Sequence, residues 1–492
     1  MFSDVYICSN LLERKKVLIM FKHPHIDNLT DTDRWITWAI VALGSFSATL
    51  DSSIVNVALP IISKEFVTAL DIMQWVVTAY LLGTCATLPI FGWLGDRMQI
   101  AHVTALGFLL RTIGSWLCAV SPNITVLISA RILASIGAAM LMALAFGTVV
   151  KVFPPYQRAR SLGMLGSSVG LGSISGASLG GFLISAFSWH AIFYVSVPIG
   201  IIGMFFSWWK IPRTEKHVGS KTVDILGIFL FALFIVTLVL GISSLSKPQP
   251  NYMLVVGNLL LSALSMFIFI RHERKHPQPL IDMEIYTYSA FTNGNIAGFT
   301  SFIAMFTIAI LMPYYLYNIL GLDPKTIGMI LTLWPIGMLI AAPLGGYLAD
   351  KTGKPLYFSL LGIFLIFTAL ILTIVSAHLR SVWIVCIANA INGFGNGLFQ
   401  APNNASTMSA IPDKFHGSAG SLAALVRNMG MIIGTSLSVT IAEFAKKYYF
   451  ATYGPDSTAA FIFGFEMSAA TGILASVVCI YYTWKKKEVL NA

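Results

Sequence analysis

The chain has 492 residues, of which 56% are hydrophobic and 11% charged, and its formal net charge is +10. A soluble globular domain carries about 25% charged residues, so a soluble fold of this length is excluded. Apolar stretches recur along the chain, and about 20 apolar residues are enough to cross a bilayer as a helix. The sequence therefore predicts an all-helical protein that crosses the membrane many times.

Fourteen membrane spans are predicted in chain order. They cover residues 35–62, 72–92, 102–120, 124–150, 161–187, 190–209, 223–245, 252–270, 290–319, 325–347, 356–377, 381–408, 418–443 and 459–483. With the N-terminus placed inside, 22 of the 31 Lys and Arg residues lie on the cytoplasmic side and 6 on the external side. This bias predicts that both termini are cytoplasmic. The basic excess follows from topology and does not indicate a nucleic-acid partner.

An internal repeat organises these spans. Residues 92–99 (GWLGDRMQ) align with 346–353 (GYLADKTG) at an offset of 254, and residues 130–140 align with 388–398 at 258. Spans 1–6 and 9–14 are therefore predicted to be two copies of one unit, with spans 7 and 8 inserted between them. Since each copy has an even number of spans, both copies cross in the same orientation, as in transporters that alternate access between two bundles.

The repeat divides the chain into five segments. They are a cytoplasmic N-terminal segment (1–34), an N-terminal six-helix bundle (35–210), cytoplasmic linkers with the two inserted helices (211–288), a C-terminal six-helix bundle (289–484) and a cytoplasmic tail (485–492). The cysteines show no CxxC or Cys/His spacing, so neither a metal site nor a disulfide framework is predicted. Translation could start at Met1 or at Met20, and the sequence leaves that open.

Several stretches resemble one family. Residues 92–97 (GWLGDR) look like the signature loop of the major facilitator superfamily, G-x-x-x-D-[RK]-x-G-R-[RK]. A resemblance to its fourteen-helix drug:proton antiporter branch, the multidrug efflux type, is carried by residues 50–60 (LDSSIVNVALP), 74–82 (QWVVTAYLL), 188–200 (SWHAIFYVSVPIG), 401–408 (APNNASTM) and 426–434 (VRNMGMIIG). The resemblance implies the major facilitator fold, with two six-helix bundles and two inserted helices.

Ionisable residues inside the spans are candidates for proton coupling, because such residues normally face a cavity or an opposite charge. Asp51 lies about eleven residues from the external end of span 1 and Arg131 about seven from that of span 4, so their depths differ by roughly 6 Å. The family fold places these spans side by side around a cavity. We expect Asp51 to face that cavity and to sense Arg131, directly or through water. Arg111, in a span that is usually peripheral, fits a snorkelling or packing role better.

The loops after spans 2 and 10 are predicted cytoplasmic gates by the same resemblance. The residues concerned are Gly92, Asp96, Arg97, Gly346, Asp350 and Lys351. A carboxylate there can cap the following helix or pair with a cation. The first copy departs from the family pattern at residues 99–101 (QIA), which weakens its expected latch, and a plain connecting turn is the alternative.

Span 5 carries glycines in steps of four, which place small residues on one helix face and allow close approach of a neighbour. Gly172, Gly176, Gly180 and Gly181 lie in or beside the family's antiporter motif, G-P-x-x-G-G, with Ala177 in place of the proline. Close packing and a gating role are equally open interpretations.

Candidate cavity or substrate contacts complete the predicted site. Polar residues of span 12 either line the cavity or bond neighbouring helices, and aromatic residues of span 2 could stack on a flat or cationic ligand. An interfacial position is the alternative for the tryptophan, and Arg427 fits function and structure equally. The residues are Trp75, Tyr80, Asn392, Asn396, Gln400, Asn403 and Arg427.

The expected function is export of amphipathic or cationic drugs in exchange for protons by alternating access. The alternative is proton-coupled export of an endogenous metabolite, lipid or siderophore-like compound. No ATP-binding G-x-x-x-x-G-K-[ST] pattern occurs, so the proton gradient is the expected energy source and no cofactor is expected. An enzyme is not expected. The expected partners are a small-molecule substrate, protons and the lipid bilayer of a bacterial cytoplasmic membrane, with a periplasmic adaptor left open.

Overall fold

The structure is a computed structural model, and it describes residues 29–95, 98–212, 224–245, 249–276, 279, 281, 283–412 and 416–491. Fourteen helices within this part are long and apolar enough to cross a membrane, which confirms the predicted number and order of spans. The described residues contain no β-strand. We name the two membrane faces cytoplasmic and external after the predicted topology.

Most spans are single helices, while spans 6 and 9 are interrupted. Spans 1–8 are Asp31–Glu65, Trp75–Gly95 (after a short helix, Leu70–Met73), Ile100–Ala119, Ile124–Val152, Pro155–Ala186, Ala191–Tyr194 with Ser196–Lys210, Ile225–Ser244 and Tyr252–Glu273. A 3-10 turn, Met283–Thr287, leads into span 9, which runs as Ser289–Phe306, Leu311–Tyr314 and a π-helical turn, Tyr315–Ile319. Spans 10–14 are Pro324–Thr352, Pro355–Leu379, Val382–Met408, His416–Tyr453 and Ser457–Asn491.

Local side-chain caps fix where some spans begin. Thr30 and Asp33 form a capping box before span 1, in which the Asp33 N–H donates to Thr30 Oγ1 at 3.2 Å and the Thr30 N–H donates to Asp33 Oδ2 at 3.3 Å. Asp323 caps span 10 by accepting from the Thr326 N–H at 3.2 Å and from its hydroxyl at 2.6 Å. These bonds from Thr326 hold the pKa of Asp323 below its ordinary value. The cap is therefore an ionised carboxylate at neutral pH.

Corresponding glycines join corresponding helices in the two copies. A Cβ added at Gly172 of span 5 would overlap the carbonyl oxygen of Phe46 in span 1. At the aligned Gly430 of span 13, an added Cβ would lie 2.7 Å from the carbonyl oxygen of Phe299 in span 9. The same close approach therefore recurs at the offset of 258 that the sequence shows.

The two bundles touch on the external side. The Tyr314 hydroxyl of span 9 donates to the Leu59 carbonyl of span 1 at 3.3 Å, and the Lys64 ammonium lies 4.4 Å from the centroid of the Tyr317 ring. Both contacts join the end of span 1 to the end of span 9. They hold the two bundles together on the external side in this conformation.

The inserted helices pack as a hairpin at the edge of the bundles. The Ser262 hydroxyl of span 8 donates to the Phe234 carbonyl of span 7 at 3.1 Å. Span 7 is in turn tied to span 13, where the Thr440 hydroxyl donates to the Ile242 carbonyl at 3.1 Å. Span 8 is the outer helix, since only 22% of the residues in its most apolar 18-residue stretch are buried.

Candidate functional site

Asp51 lies inside the N-terminal bundle, in direct contact with Arg111. Its Oδ2 is 2.8 Å from Arg111 Nε, and neither side chain is more than 3% exposed. The Ser196 hydroxyl of span 6 donates to Asp51 Oδ1, and Arg111 Nη2 donates to the Ser47 carbonyl of span 1 at 3.1 Å. Spans 1, 3 and 6 thus jointly hold one buried ion pair.

The direct ion-pair partner of Asp51 in this conformation is Arg111, while sensing of Arg131 through water stays a prediction. Arg131 is also fully buried, but its Nε donates to the Val76 carbonyl at 3.0 Å and its guanidinium lies 4.1 Å from the centroid of the Tyr80 ring. The Tyr80 hydroxyl donates to the Ala48 carbonyl at 3.0 Å, one turn before Asp51. Arg131 therefore contacts span 1 through the Tyr80 side chain, whereas Arg111 forms the direct ion pair with Asp51.

The expectation that Asp51 faces a water-accessible cavity stays a prediction, because in this conformation the side chain is buried. The residue is 2% exposed because Arg111 and Ser196 cover it from the outer helices of its own bundle. The position of Arg111 along its predicted span already indicated that it lies at the membrane depth of Asp51. Arg111 lies about nine residues from the external end of its predicted span, which brings it to within about 3 Å of the depth of Asp51. Ser196 carried no such signal.

The aromatic candidates of span 2 are structural in this conformation. Tyr80 is 3% exposed, with its ring under Arg131 and its hydroxyl bonded to a carbonyl. Trp75 is half-buried at the start of its helix and packs against the main apolar core. The Tyr80 ring is thus covered by Arg131, and Trp75 contributes to the apolar core.

A cavity occupies the cytoplasmic half of the C-terminal bundle. It is a small, partly open space between spans 9, 12 and 13, and its total empty volume is about 360 Å³ only when the adjoining open solvent is counted. Three of the predicted contacts line it, namely Gln400, Asn403 and Arg427. The sequence reasoning missed the lining residues of span 9, among them Phe291, Asn295 and Phe302. No acidic side chain lines this cavity among the described residues.

The other polar candidates of span 12 bind neighbouring helices. Asn392 Oδ1 accepts from the Trp334 indole N–H at 3.3 Å, and the Asn396 amide contacts Met338 Sδ at 3.5 Å. Both partners belong to span 10. The default interpretation, hydrogen bonding between helices, therefore holds for these two residues.

Lys486 was missed by the sequence reasoning, which placed it in a cytoplasmic tail. Span 14 continues past that point, and its Lys486 side chain is 0% exposed. The ammonium donates to the hydroxyls of Ser406 and Thr407 at 2.7 Å each and to the Asn403 carbonyl at 3.1 Å. It holds the end of span 12 behind the cavity wall, where a cation also complements the helix C-terminus.

The span 5 glycines separate into two groups. Gly172, Gly176 and Gly180 face span 1, where a Cβ at Gly180 would lie 2.9 Å from the Ile54 carbonyl oxygen. Gly181 faces the other bundle, and its Cβ would lie 2.6 Å from the Pro324 carbonyl oxygen of span 10. Close packing thus explains the first group, while Gly181 belongs to the external contact between bundles.

The predicted gate is described only in part. Asp96 and Arg97 lie outside the described residues, as do the side-chain surroundings of Gly92 and Asp350. In the second copy, a Cβ at Gly346 would meet open space, and the Lys351 ammonium lies 5.8 Å from the centroid of the Tyr347 ring.

Comparison with known families decides the class of protein. The model of the Major Facilitator Superfamily matches residues 41–286 and 295–488. The chain belongs to the Major Facilitator Superfamily. This member of the superfamily is a multi-pass membrane transporter and not an enzyme, as its fold and its relatives agree.

The curated relatives include a named riboflavin transporter, named multidrug resistance proteins and uncharacterised transporters. The chain is 36% identical to "Riboflavin transporter RibZ" of Clostridioides difficile over 82% of its own length and 87% of that protein. It is 27% identical to "Multidrug resistance protein 3" of Bacillus subtilis, over 81% and 78%. Among solved structures, the POT family transporter PepTSo matches with a TM-score of 0.66 at 14% identity, over 94% of this chain and 99% of that one.

Proposed function

We propose that this protein is a proton-coupled secondary transporter whose coupling residue is Asp51. The observation that carries the proposal is the buried Asp51–Arg111 ion pair inside the first bundle. Charged residues are rare within membrane spans and are usually retained for a function such as a proton relay. A buried pair is also weak support for stability compared with apolar packing, so function is the better reason for its presence.

Coupling follows from what protonation does to the pair. When Asp51 is ionised, its charge compensates Arg111, which is 0% exposed. When Asp51 takes up a proton, Arg111 becomes an uncompensated buried charge, and leaving one such charge costs about 3–5 kcal/mol. Protonation therefore favours a conformation in which water reaches Arg111. The ionised form favours the conformation seen here, and proton binding drives the change of access.

The proposed cargo is a neutral or anionic planar organic compound, with riboflavin as first candidate. The cavity is lined by the rings of Phe291 and Phe302, by the guanidinium of Arg427 and by the amides of Asn295, Gln400 and Asn403, whose NH2 groups also donate within the bundle, while its described lining holds no carboxylate. Amides and rings suit a flat, hydrogen-bonding molecule. The relative named as a riboflavin transporter, at 36% identity, supports the same class.

Proton-driven export of amphipathic or cationic drugs is the second candidate function. Relatives named as multidrug resistance proteins, such as the Bacillus subtilis protein at 27% identity, favour it. A cationic drug would bind by stacking on the cavity rings. It would find no described carboxylate in this cavity to neutralise it.

Transport into proteoliposomes tests the proposal. The purified protein is reconstituted, a pH gradient of either sign is imposed, and uptake of riboflavin and of a quaternary ammonium dye is measured against empty liposomes. The proposal expects gradient-dependent movement of riboflavin, and the sign of the effective gradient gives the direction of coupling. Dye movement alone would support the second candidate. Movement that does not depend on the pH gradient would contradict proton coupling.

A further inference from the structure

A cluster of metal-ligand side chains lies where the two inserted helices meet the cytoplasmic side. Asp224 caps the start of span 7, His272 lies in the last turn of span 8, and His276 follows the end of that helix, with its N–H donating to the His272 carbonyl at 3.0 Å. One ligand atom from each of the three lies within 4.8 Å of the other two. We propose that Asp224, His272 and His276 bind a divalent transition-metal ion of the Zn²⁺ type, which clips spans 7 and 8 together.

The observed distances fit such an ion after small side-chain rotations. Asp224 Oδ1 lies 2.7 Å from His272 Nε2. Ligand atoms around a tetrahedral ion lie about 3.3 Å apart when each metal–ligand distance is about 2.0 Å. With Asp224 Oδ2 as the ligand atom, His272 exchanges its contact with Oδ1 for the ion, and His276 moves closer. The rings of His272 and His276 already lie side by side, with their centroids 5.2 Å apart.

Asp224 supplies an independent sign of a missing cation. The residue is 6% exposed, and its carboxyl group lies in hydrogen-bond contact with the carboxyl group of Glu273. Its Oδ1 is occupied, because it accepts from the Gly227 N–H at 2.8 Å as well as from His272. Two buried carboxyl groups in contact need a proton or another cation between them. A metal ion on Oδ2 would supply that positive charge while leaving the helix cap intact.

A second carboxylate is directed to the same place. A Cβ added at Gly227 would collide with Asp224 Oδ2 and would lie 2.5 Å from Glu273 Oε1, so these two oxygens converge over the bare glycine. The other oxygen of Glu273 accepts from the Ile281 N–H at 2.9 Å, which fixes the carboxylate. Adjacent carboxylates are favoured when a cation lies between them. Glu273 is therefore placed to be the fourth ligand.

The sequence contains a matching pattern just after the apolar part of span 8. Residues 272–276 read HERKH, which fits H-E-x-x-H, a spacing that on a helix brings two histidines together to bind zinc; here the second histidine lies in the turn that follows the helix, where its N–H bonds the His272 carbonyl. The basic residues Arg271, Arg274 and Lys275 are exposed, so their charges are solvated beside the cluster. Imidazole with carboxylate suits Zn²⁺ and its neighbours in the transition series better than Mg²⁺ or Ca²⁺. The expectation of no metal site rested on cysteine spacing and overlooked this pattern.

Cobalt titration of the purified, intact protein without a histidine tag tests the proposal. Co²⁺ is added alone and its visible absorption is recorded, and Zn²⁺ is then added in competition. The wild type is compared with His276→Ala, with Asp224→Asn and with a matched control, His378→Ala, which removes an exposed histidine at the other membrane face. The thermal midpoint of each protein is measured with and without Zn²⁺, so that binding and folding are read separately.

The expected result is one tetrahedral Co²⁺ per chain in the wild type and in His378→Ala, displaced by Zn²⁺. His276→Ala and Asp224→Asn should each weaken binding at least about tenfold, since loss of even an outer contact costs 10–100-fold. Zn²⁺ should raise the thermal midpoint of the wild type but not that of His276→Ala. If Asp224→Asn does not fold, Co²⁺ binding by the His276→Ala variant provides the test, because His276 is only half-buried. Equal Co²⁺ binding in wild type and His276→Ala would overturn the proposal.

Discussion

Asp51 and Arg111 illustrate how a membrane bundle holds two charges away from water. The ion pair is supplemented by the Ser196 hydroxyl and by the Ser47 carbonyl, so three helices contribute to it. Polar groups removed from water must be paired, because an unpaired one carries a large penalty. The pair is consequently stable only while both partners keep their charge.

Removal of Arg111 should destabilise the protein strongly. Arg111→Ala leaves Asp51 buried and uncompensated, which we expect to lower the free energy of unfolding by about 3–5 kcal/mol. The comparison is Arg34→Ala, which removes a surface arginine paired with Asp31 at 2.7 Å and should cost less than about 1 kcal/mol. Thermal unfolding in detergent measures both. Similar losses in the two variants would show that the buried pair is not energetically special.

Depth along the helices could have identified this pair from the sequence. Asp51, Arg111 and Arg131 all lie at similar depths in neighbouring spans, and depth alone favours Arg111. The assignment to Arg131 rested on the usual position of span 4 at the cavity. Which face of a helix a side chain occupies depends on rotation about the helix axis, and a bundle sets that rotation by packing. Depth therefore favoured Arg111, but the helix rotation that brings its side chain to Asp51 could not be derived from the sequence.

At the scale of helices, the span 5 glycines perform different tasks along one element. Three of them allow span 1 to approach, and Gly181 allows span 10 of the other bundle to approach at the external end. The spacing in the sequence predicted the packing face. It could not assign Gly181 to the second bundle, because contacts between the bundles depend on the conformational state.

A methyl group at Gly181 should open the external side. In Gly181→Ala the new Cβ lies 2.6 Å from the Pro324 carbonyl oxygen, and such overpacking costs about 1–3 kcal/mol. We expect faster amide hydrogen exchange at the external ends of spans 5 and 10. Gly170→Ala on the same helix is the control, since its Cβ meets only Leu339 Cδ1 at 3.8 Å. Unchanged exchange in Gly181→Ala would argue against this external contact.

The cap of span 10 gives a prediction with a defined pH dependence. Asp323→Ala removes the acceptor for Thr326 and should cost about 1 kcal/mol. Because the pKa of Asp323 is lowered, its contribution is fully present above the unfolded-state pKa of about 3.9 and is lost as the pH falls through the folded-state pKa.

The difference in thermal midpoint between wild type and Asp323→Ala should therefore be constant from about pH 8 to about pH 5 and should shrink only in stronger acid. Asp323→Asn serves as the control, because asparagine keeps a side-chain oxygen at the cap. A difference that already disappears between pH 7 and pH 5 would mean that another group is responsible.

At the scale of the whole molecule, most of the architecture could be predicted from sequence. Fourteen apolar segments and a repeat at offsets of 254 and 258 define the spans and the two bundles, because bilayer thickness and backbone hydrogen bonding leave few alternatives. The candidate functional site was harder to predict from the sequence. The cavity depends on side chains of three helices that are far apart in sequence, and buried Lys486 looked like an ordinary basic tail residue.

The contact between the two bundles explains how one titratable residue could control access to the cavity from both sides of the membrane. Asp51 lies within the first bundle, whereas the cavity lies in the second. The bundles touch through the external ends of spans 1 and 9. A change in how span 1 packs against spans 3 and 6 would therefore reach the second bundle through this contact.

Proton coupling by Asp51 is tested most directly by comparing accumulation with exchange in proteoliposomes. Asp51→Asn should lose pH-gradient-driven accumulation of the transported compound to below about a tenth of the wild-type level, since it can neither bind nor release the proton. It should retain exchange of labelled for unlabelled compound, which needs no net proton movement and verifies folding. Wild-type accumulation by Asp51→Asn under the same gradient would contradict the assignment.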